Sequence, residues 1–243
     1  MTTLLIFATF LLAGAIKGVI GLGLPSISLA ILTVAINLES AMALLLAPSL
    51  ITNLWQGLSG GHSLYLLQRL RLFLSIAAVS VLAGAAVFKL LDPVWLSALL
   101  GLLIFSYALL SLLGLTFKTP RQGENITASL CGLANGVFMG LTGSSVVPGV
   151  MYLQSLDLDR NQLVQAMGIL FSISTVALGL ALWWQARLPS ELGILSVAAV
   201  APALAGMYVG RHVRQHLSEQ RFRQVFFTSL LLLGLYIVLT SLL

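Results

Sequence analysis

Hydrophobic runs of membrane-spanning length, parted by short polar stretches, fill nearly the whole chain. Between charged residues the apolar segments are 1–16, 18–38, 40–68, 72–88, 93–117, 125–156, 161–186, 192–210 and 224–243. Several reach the roughly 20 residues that cross a bilayer as a helix. Two of the runs are broken by glycine and small polar residues: Gly14 to Pro25 (GAIKGVIGLGLP) and Gly132 to Pro148 (GLANGVFMGLTGSSVVP). Inside a bilayer, backbone that leaves the helical ladder is tolerated only where protein buries it or where it lines a wet cavity. Two matched breaks therefore predict a duplicated binding element.

The breaks align. Gly14 pairs with Gly132, Lys17 with Asn135, Gly18 with Gly136 and, after one insertion, Gly21 with Gly140. Leu38-Glu39 then matches Leu158-Asp159, and Leu82-Ala83-Gly84 matches Leu204-Ala205-Gly206, so the offset drifts only from 118 to 122. This predicts two repeats, residues 1–117 and 125–243, joined by a linker at 118–124 (KTPRQGE) with Pro120 and Gly123 as breakers. After each break come three ordinary apolar helices, at 40–61, 72–89 and 93–116 and again at 161–186, 192–210 and 224–243.

Loop charge decides whether a broken segment crosses once or doubles back. With a single crossing, Arg69, Arg71, Lys118, Arg121 and Arg187 face Lys89, Arg160, Arg211, Arg214, Arg221 and Arg223, five against six. With a hairpin, only Lys89 and Arg187 remain on one side and the other nine collect opposite them. Membrane insertion selects the second distribution. The expected fold is therefore an all-α polytopic membrane protein of two inverted repeats, each a glycine-broken hairpin plus three transmembrane helices. Both termini are expected outside the cytoplasm, with the glycine-rich tips approaching each other from opposite faces.

Composition agrees with this pattern and removes other classes. Hydrophobic residues make up 59% of the 243 positions and charged residues only 8%, against about 25% charged in soluble domains. The net charge of +5 sits largely in short connections, where it orients the chain in a lipid bilayer and gives no reason to expect nucleic acid. Cys131 is the single cysteine, which excludes a disulfide framework and a cysteine metal site. The N-terminal MTTLLIFATFLLAGA resembles a signal peptide but lacks a basic start, and its Gly14 already belongs to a repeat, so it is expected to stay. No nucleotide-binding loop or other cofactor motif occurs, and no cofactor is expected.

The candidate substrate-binding residues lie in the breaks and on two striped helices. In the first break, Gly18, Gly21 and Gly23 allow close backbone approach, and Pro25 and Ser26 begin the returning helix. In the second, Gly140, Thr142, Gly143, Ser144 and Ser145 precede Pro148 with more hydroxyls. Exposed amides at a half-helix N-terminus suit an anion, although such glycines can also serve only to pack helices closely. Lys17 falls inside the first break, where a charge is expensive unless used or paired; Asn135 stands at the matched position. Ser49, Thr52, Asn53, Gln56 and Gly60 stripe one helix, and Gln162, Gln165, Gly168, Ser172 and Thr175 stripe another. Of these Asn53, Gln56, Gln165 and Ser172 join the candidate path, while Ser and Thr can equally bond back to their own helix.

Other polar groups read as structural or solvated. His62, His212 and His216 fall at predicted helix ends and loops, and RHVRQHLSEQRFR suits anionic lipid heads better than a metal. Asp157, Asp159 and Arg160 form a connection, and Gly206 with Gly210 reads as helix packing. These features predict a secondary transporter of a small anion working by alternating access, without catalytic or metal-binding residues. The alternatives are an intramembrane serine hydrolase using Ser144 or Ser145, which lacks a base within reach, and a membrane scaffold subunit without a substrate of its own. A homodimer is a reasonable assembly for a chain of this size.

The paired glycine breaks, the Arg-containing loop after the second helix of each half, and the ending RFRQVFFTSLLLLGLYIVL together resemble the sulfite exporter TauE/SafE family, also called the 4-toluene sulfonate uptake permease family. The resemblance covers essentially the whole chain. It implies a carrier of the bacterial inner membrane that moves small anions, commonly sulfur oxyanions or organosulfonates. Where that family typically carries a glycine run before a proline, this chain has Gly21-Leu-Gly-Leu-Pro25 and Gly143-Ser-Ser-Val-Val-Pro148.

Overall fold

A computed structural model describes residues 2–115, 118–119, 121–214 and 218–242. Among these residues the fold is all helix, with no strand. The first half contains α1 (Thr2–Ile20), α2 (Leu24–Ala35), α3 (Leu38–Leu58), α4 (Ser63–Arg69), α5 (Arg71–Val87) and α6 (Pro93–Leu112). The second contains α7 (Glu124–Thr142), α8 (Met151–Ser155), α9 (Arg160–Trp184), α10 (Ser190–Ala198), α11 (Val200–Val213) and α12 (Glu219–Leu242). Among the described residues, seven stretches are long and apolar enough to cross a membrane: α1, α3, α5 with its trailing turn, α6, α9, α10 with α11, and most of α12. The six ordinary helices expected from the sequence are present within a few residues of the expected bounds, whereas the short α4 and the kink at Ala199 were not anticipated. Trp55, Trp95, Trp183 and Trp184 are all exposed near helix ends, where amphipathic rings suit a membrane interface.

The helix starts follow from their caps. Asn37 Oδ1 accepts from Ser40 N at 2.8 Å, and Asp92 Oδ1 accepts from Val94 N at 2.9 Å beside Pro93. Asp159 and Gln162 form a capping box at α9. Thus Asp159, expected in a solvated connection, starts a helix. Pro48 lies inside α3 and cannot donate to the carbonyl of Leu44. Ser196 Oγ on α10 donates to that carbonyl at 2.9 Å and accepts from Ala47 N at 3.0 Å, so the interruption also ties the halves together.

Four helix pairs make the most extensive interfaces: α5 with α7, α1 with α11, α6 with α12, and α3 with α9. Glycines allow each close approach. A Cβ on Gly14 or Gly18 would collide with the backbone of α11 at Ala203 or Met207, and one on Gly132, Gly136 or Gly140 would press the α5 backbone at Phe73, Ala77 or Val81. Gly57 faces Gly168 and Ile169, while Gly101 faces Gly234. Such contacts replace the hydrophobic drive that lipid removes. Exchanging the two halves turns the α1–α11 pair into α7–α5 and leaves α3–α9 and α6–α12 unchanged.

Contacts sort the helix ends into two groups. At one end the turns near Asn37, Pro93, Arg187 and Thr240 border a common cavity. At the opposite end Arg69 forms a bidentate ion pair with Glu124, Nη2 donating to Oε2 at 3.0 Å, and Thr119 N donates to Ser155 O at 3.2 Å. The hydrogen bond to Glu124 pushes the Arg69 pKa above its ordinary value. α1 lies parallel to α11 and therefore runs from the cavity end toward this linker end, where the chain turns at Gly21–Gly23 against Val164 and Phe226. α2 then returns to the cavity at Thr33 and Ile36. α7, parallel to α5, runs the other way and turns at Gly143–Ser145 beside Met42 and Leu29.

Candidate functional site

The two turns are built differently. Gly23, at φ 108, precedes α2, whose second residue Pro25 needs no backbone donor; only glycine takes that φ without strain. Gly143, at φ 75, closes α7, and the chain continues through Ser144, Ser145 and an irregular turn, Val146–Val150, before α8. Each turn packs against the opposite half near the start of its third helix: Gly21 beside Val164 of α9, Gly143 beside Met42 of α3. Val164 and Met42 are both the fifth residue of their helices. The central pair α3–α9 therefore runs from one turn to the other.

Lys17 is 3% exposed. Its Nζ donates to Thr52 Oγ1 at 3.1 Å and to Asn53 Oδ1. Thr52 Oγ1 donates onward to Pro48 O at 2.7 Å, and Asn53 Nδ2 to Ser49 Oγ at 2.8 Å. Ser49 Oγ lies 3.3 Å from Thr175 Oγ1 of α9. This chain of neutral groups orients the ammonium, yet among the described residues no carboxylate pairs with it. An ammonium has three donors and two are engaged here. A desolvated cation without a counter-ion is costly, so a charge held here needs compensation that these neutral groups supply only in part.

A second buried polar group belongs to α7 and the second turn. Asn135, Ser144 and Ser145 are buried, and neither amide atom of Asn135 nor either serine Oγ has a hydrogen-bond partner. A Cβ on Gly149 would strike Asn135 Oδ1, so the returning chain lies directly on that amide. Thr142 Oγ1 donates to Phe138 O at 2.7 Å and accepts from Ser144 N at 3.3 Å. Ser174 Oγ, on α9, is likewise buried and unpartnered. Unpaired buried polar atoms are rare in folded proteins and mark places where water, an ion or a ligand belongs.

Other expected site residues have different surroundings. Gln56 Nε2 donates to Val164 O at 2.7 Å, while Gln165 Nε2 donates to Gly57 O at 2.9 Å and to Ser63 Oγ at 2.7 Å. Gln165 Oε1 also accepts from His62 N at 3.1 Å. Both amides therefore brace α3 against α9. Ser172 Oγ donates to Gly168 O at 2.7 Å within its own helix. Gly18 and Gly140 lie inside helices and serve packing, and Ser26 is buried in the first turn of α2. Thr52, which the stripe contained but the candidate path left out, contacts Lys17 directly.

The polar loops carry little organised chemistry. His62 precedes α4, and His212 Nδ1 lies 3.2 Å from Tyr208 O. His216 and Pro120 lie outside the described residues. No cluster of metal-binding side chains occurs among the described residues. No curated protein and no solved structure matches the chain. A comparison with protein families matches residues 6–237 to Sulfite exporter TauE/SafE. With that match spanning nearly all of an all-helical, multi-pass fold, the chain belongs to the sulfite exporter TauE/SafE family of membrane transporters.

Proposed function

We propose that this protein is a secondary carrier of a small anion, a sulfur oxyanion or an organosulfonate, that works by alternating access in a bacterial inner membrane. The observation that carries the reading is Lys17, a buried cation held by Thr52 and Asn53 with no acidic partner among the described residues. An anion supplies the missing charge and takes the third ammonium donor. At the second turn, which meets α3 at Met42 about 15 Å from Thr52, Ser144 and Ser145 offer hydroxyls, and Asn135 an amide, to the anion at a later point on its path.

The symmetric set of interfaces supports two inverted repeats. In that reading the first helix of each half moves with the fourth helix of the other, and the α3–α9 pair is the seam along which the two bodies rock. The buried state of Lys17 suits an occluded conformation. The positive charges gather at the linker end, which makes that end cytoplasmic and puts both termini outside.

The test is counterflow in sealed liposomes holding the purified protein. Vesicles preloaded with unlabelled anion should transiently accumulate labelled sulfite, thiosulfate or methanesulfonate, and should discriminate among these and acetate. Failure to exchange any anion, in protein that remains folded and monodisperse, would overturn the carrier reading.

A further inference from the structure

At the end opposite the linker lies a cavity of about 600 Å³ that the Lys17 network does not reach. Both halves wall it. Thr33 comes from α2, Ser40 and Ser97 from the first turns of α3 and α6, and Arg187 from the α9–α10 connection. The Arg187 guanidinium sits 4.7 Å from the centre of the Phe88 ring and 3.4 Å from Glu39 Oε1. Nη1, the atom of that ion pair, is buried and makes no hydrogen bond among the described residues, and neither does Thr33 Oγ1.

The ion pair is uneven. The Glu39 side chain is 47% exposed and that of Arg187 22% exposed. A carboxylate this wet holds its partner weakly, whereas the guanidinium is fixed by the ring beneath it. Arg187 thus presents a planar, permanently charged fork whose donors match the paired oxygens of a sulfonate or oxyanion. One wall of the cavity lies close to the second glycine turn. Glu39 and Ser40 line that wall, and Met42, about 5 Å further along α3, packs against Gly143 beside the unpartnered Ser144 and Ser145.

We infer that this cavity is a separate anion-receiving vestibule, in which Arg187 exchanges Glu39 for a soluble sulfonate or sulfur oxyanion on its way to or from the second glycine turn. The transport step rests on the carrier reading above, but anion binding at Arg187 does not require it. Glu39 acts as the resident stand-in that keeps the guanidinium neutralised when no anion is present. The vestibule is distinct from Lys17 in that its guanidinium is partly exposed and already faces a half-exposed carboxylate.

Thiol modification in lipid nanodiscs tests this without a transport assay. With Cys131→Ala as background and Ser97→Cys as the reporter, the anionic reagent sulfonatoethyl methanethiosulfonate is compared with its cationic trimethylammonioethyl analogue. Arg187→Gln should lower the ratio of anionic to cationic rates by about threefold to tenfold, the effect of one nearby charge in a partly wet site. Arg187→Lys should retain most of it. Methanesulfonate should slow labelling by the anionic reagent when Arg187 is present and have no such effect in Arg187→Gln.

An unchanged rate ratio and unchanged methanesulfonate protection in a folded Arg187→Gln protein would overturn the inference. So would protection that appears only when phosphatidylglycerol is added to the disc and never with free methanesulfonate, because the guanidinium would then hold a lipid headgroup. Protection by methanesulfonate in a protein that shows no counterflow would leave the vestibule standing and remove the carrier reading.

Discussion

Lys17→Met is expected to abolish anion counterflow while leaving the protein about as stable as the parent. The charge is buried, and its hydrogen-bond partners are Thr52 and Asn53. Removing one member of a desolvated charge–anion pair costs about 3 to 4 kcal/mol of binding, or a loss of roughly 10²- to 10³-fold. Stability changes little. An ammonium costs up to about 3 kcal/mol at mid-bilayer and less toward a helix end; Lys17 lies in the last turn of α1, and methionine removes that cost while filling most of the volume. Thr52 keeps its bond to Pro48 O and Asn53 keeps its bond to Ser49. Asn53 Oδ1 and Thr52 Oγ1 both lose the donor that Nζ supplied, and because Thr52 keeps its own bond the penalty of about 1 to 2 kcal/mol falls mainly on Asn53. The two terms nearly offset, so the variant keeps the parent's stability to within about 1 kcal/mol. Thermal unfolding followed by size-exclusion chromatography, with counterflow on the same preparation, checks both halves of the prediction. A variant that transports like the parent would show that Lys17 only snorkels or packs.

Gly136→Ala is expected to lower the stability of the fold by about 2 kcal/mol or more. A Cβ there meets the carbonyl oxygen of Ala77 and, at 2.5 Å, the Ser80 Cβ, so helix α7 must move off α5. Backbone cannot yield as the end of a flexible side chain does. Gly18→Ala, at the matched position of the other half, should behave alike because its Cβ would strike the carbonyl of Met207 on α11. Gly193→Ala is the control: nothing lies within 4 Å of its Cβ. There alanine replaces glycine in a helix and should stabilise by about 0.5 kcal/mol or more. The comparison separates close packing from general sensitivity of a membrane protein to substitution. Equal effects at Gly136 and Gly193 would argue against the interface assignment.

The helices were legible because their signals are local. Apolar length and loop charge lie within a few residues of each boundary. The polar stripe on α3 was legible too, since Ser49, Thr52, Asn53 and Gln56 recur on one helical face. How the stripe divides was not. Thr52 and Asn53 turn to Lys17, while Gln56 reaches a carbonyl of α9, and only the packing of three helices decides between these uses.

The same limit explains the glycines. Gly18 and Gly140 look like parts of the breaks in the sequence, but a glycine that closes a turn and one that admits a neighbouring helix carry the same letter. The turns themselves fall at Gly21–Gly23 and Gly143–Ser145, where φ is positive at Gly21, Gly23 and Gly143. Arg187 read only as a loop charge. Its proximity to Phe88 and Glu39 joins residues roughly 100 and 150 positions away in sequence, which no local pattern reveals.

The most direct test of an anion held by a buried lysine is equilibrium binding by the purified protein, free of any driving gradient. Labelled sulfite, thiosulfate and methanesulfonate are each titrated against the parent chain, Lys17→Met and Arg187→Gln. Saturable binding of at least one of these anions is expected for the parent and for Arg187→Gln; a folded Lys17→Met protein should lose the component that Arg187→Gln retains and keep only the weaker binding at the vestibule. Undiminished binding by Lys17→Met would contradict an anion held by that lysine.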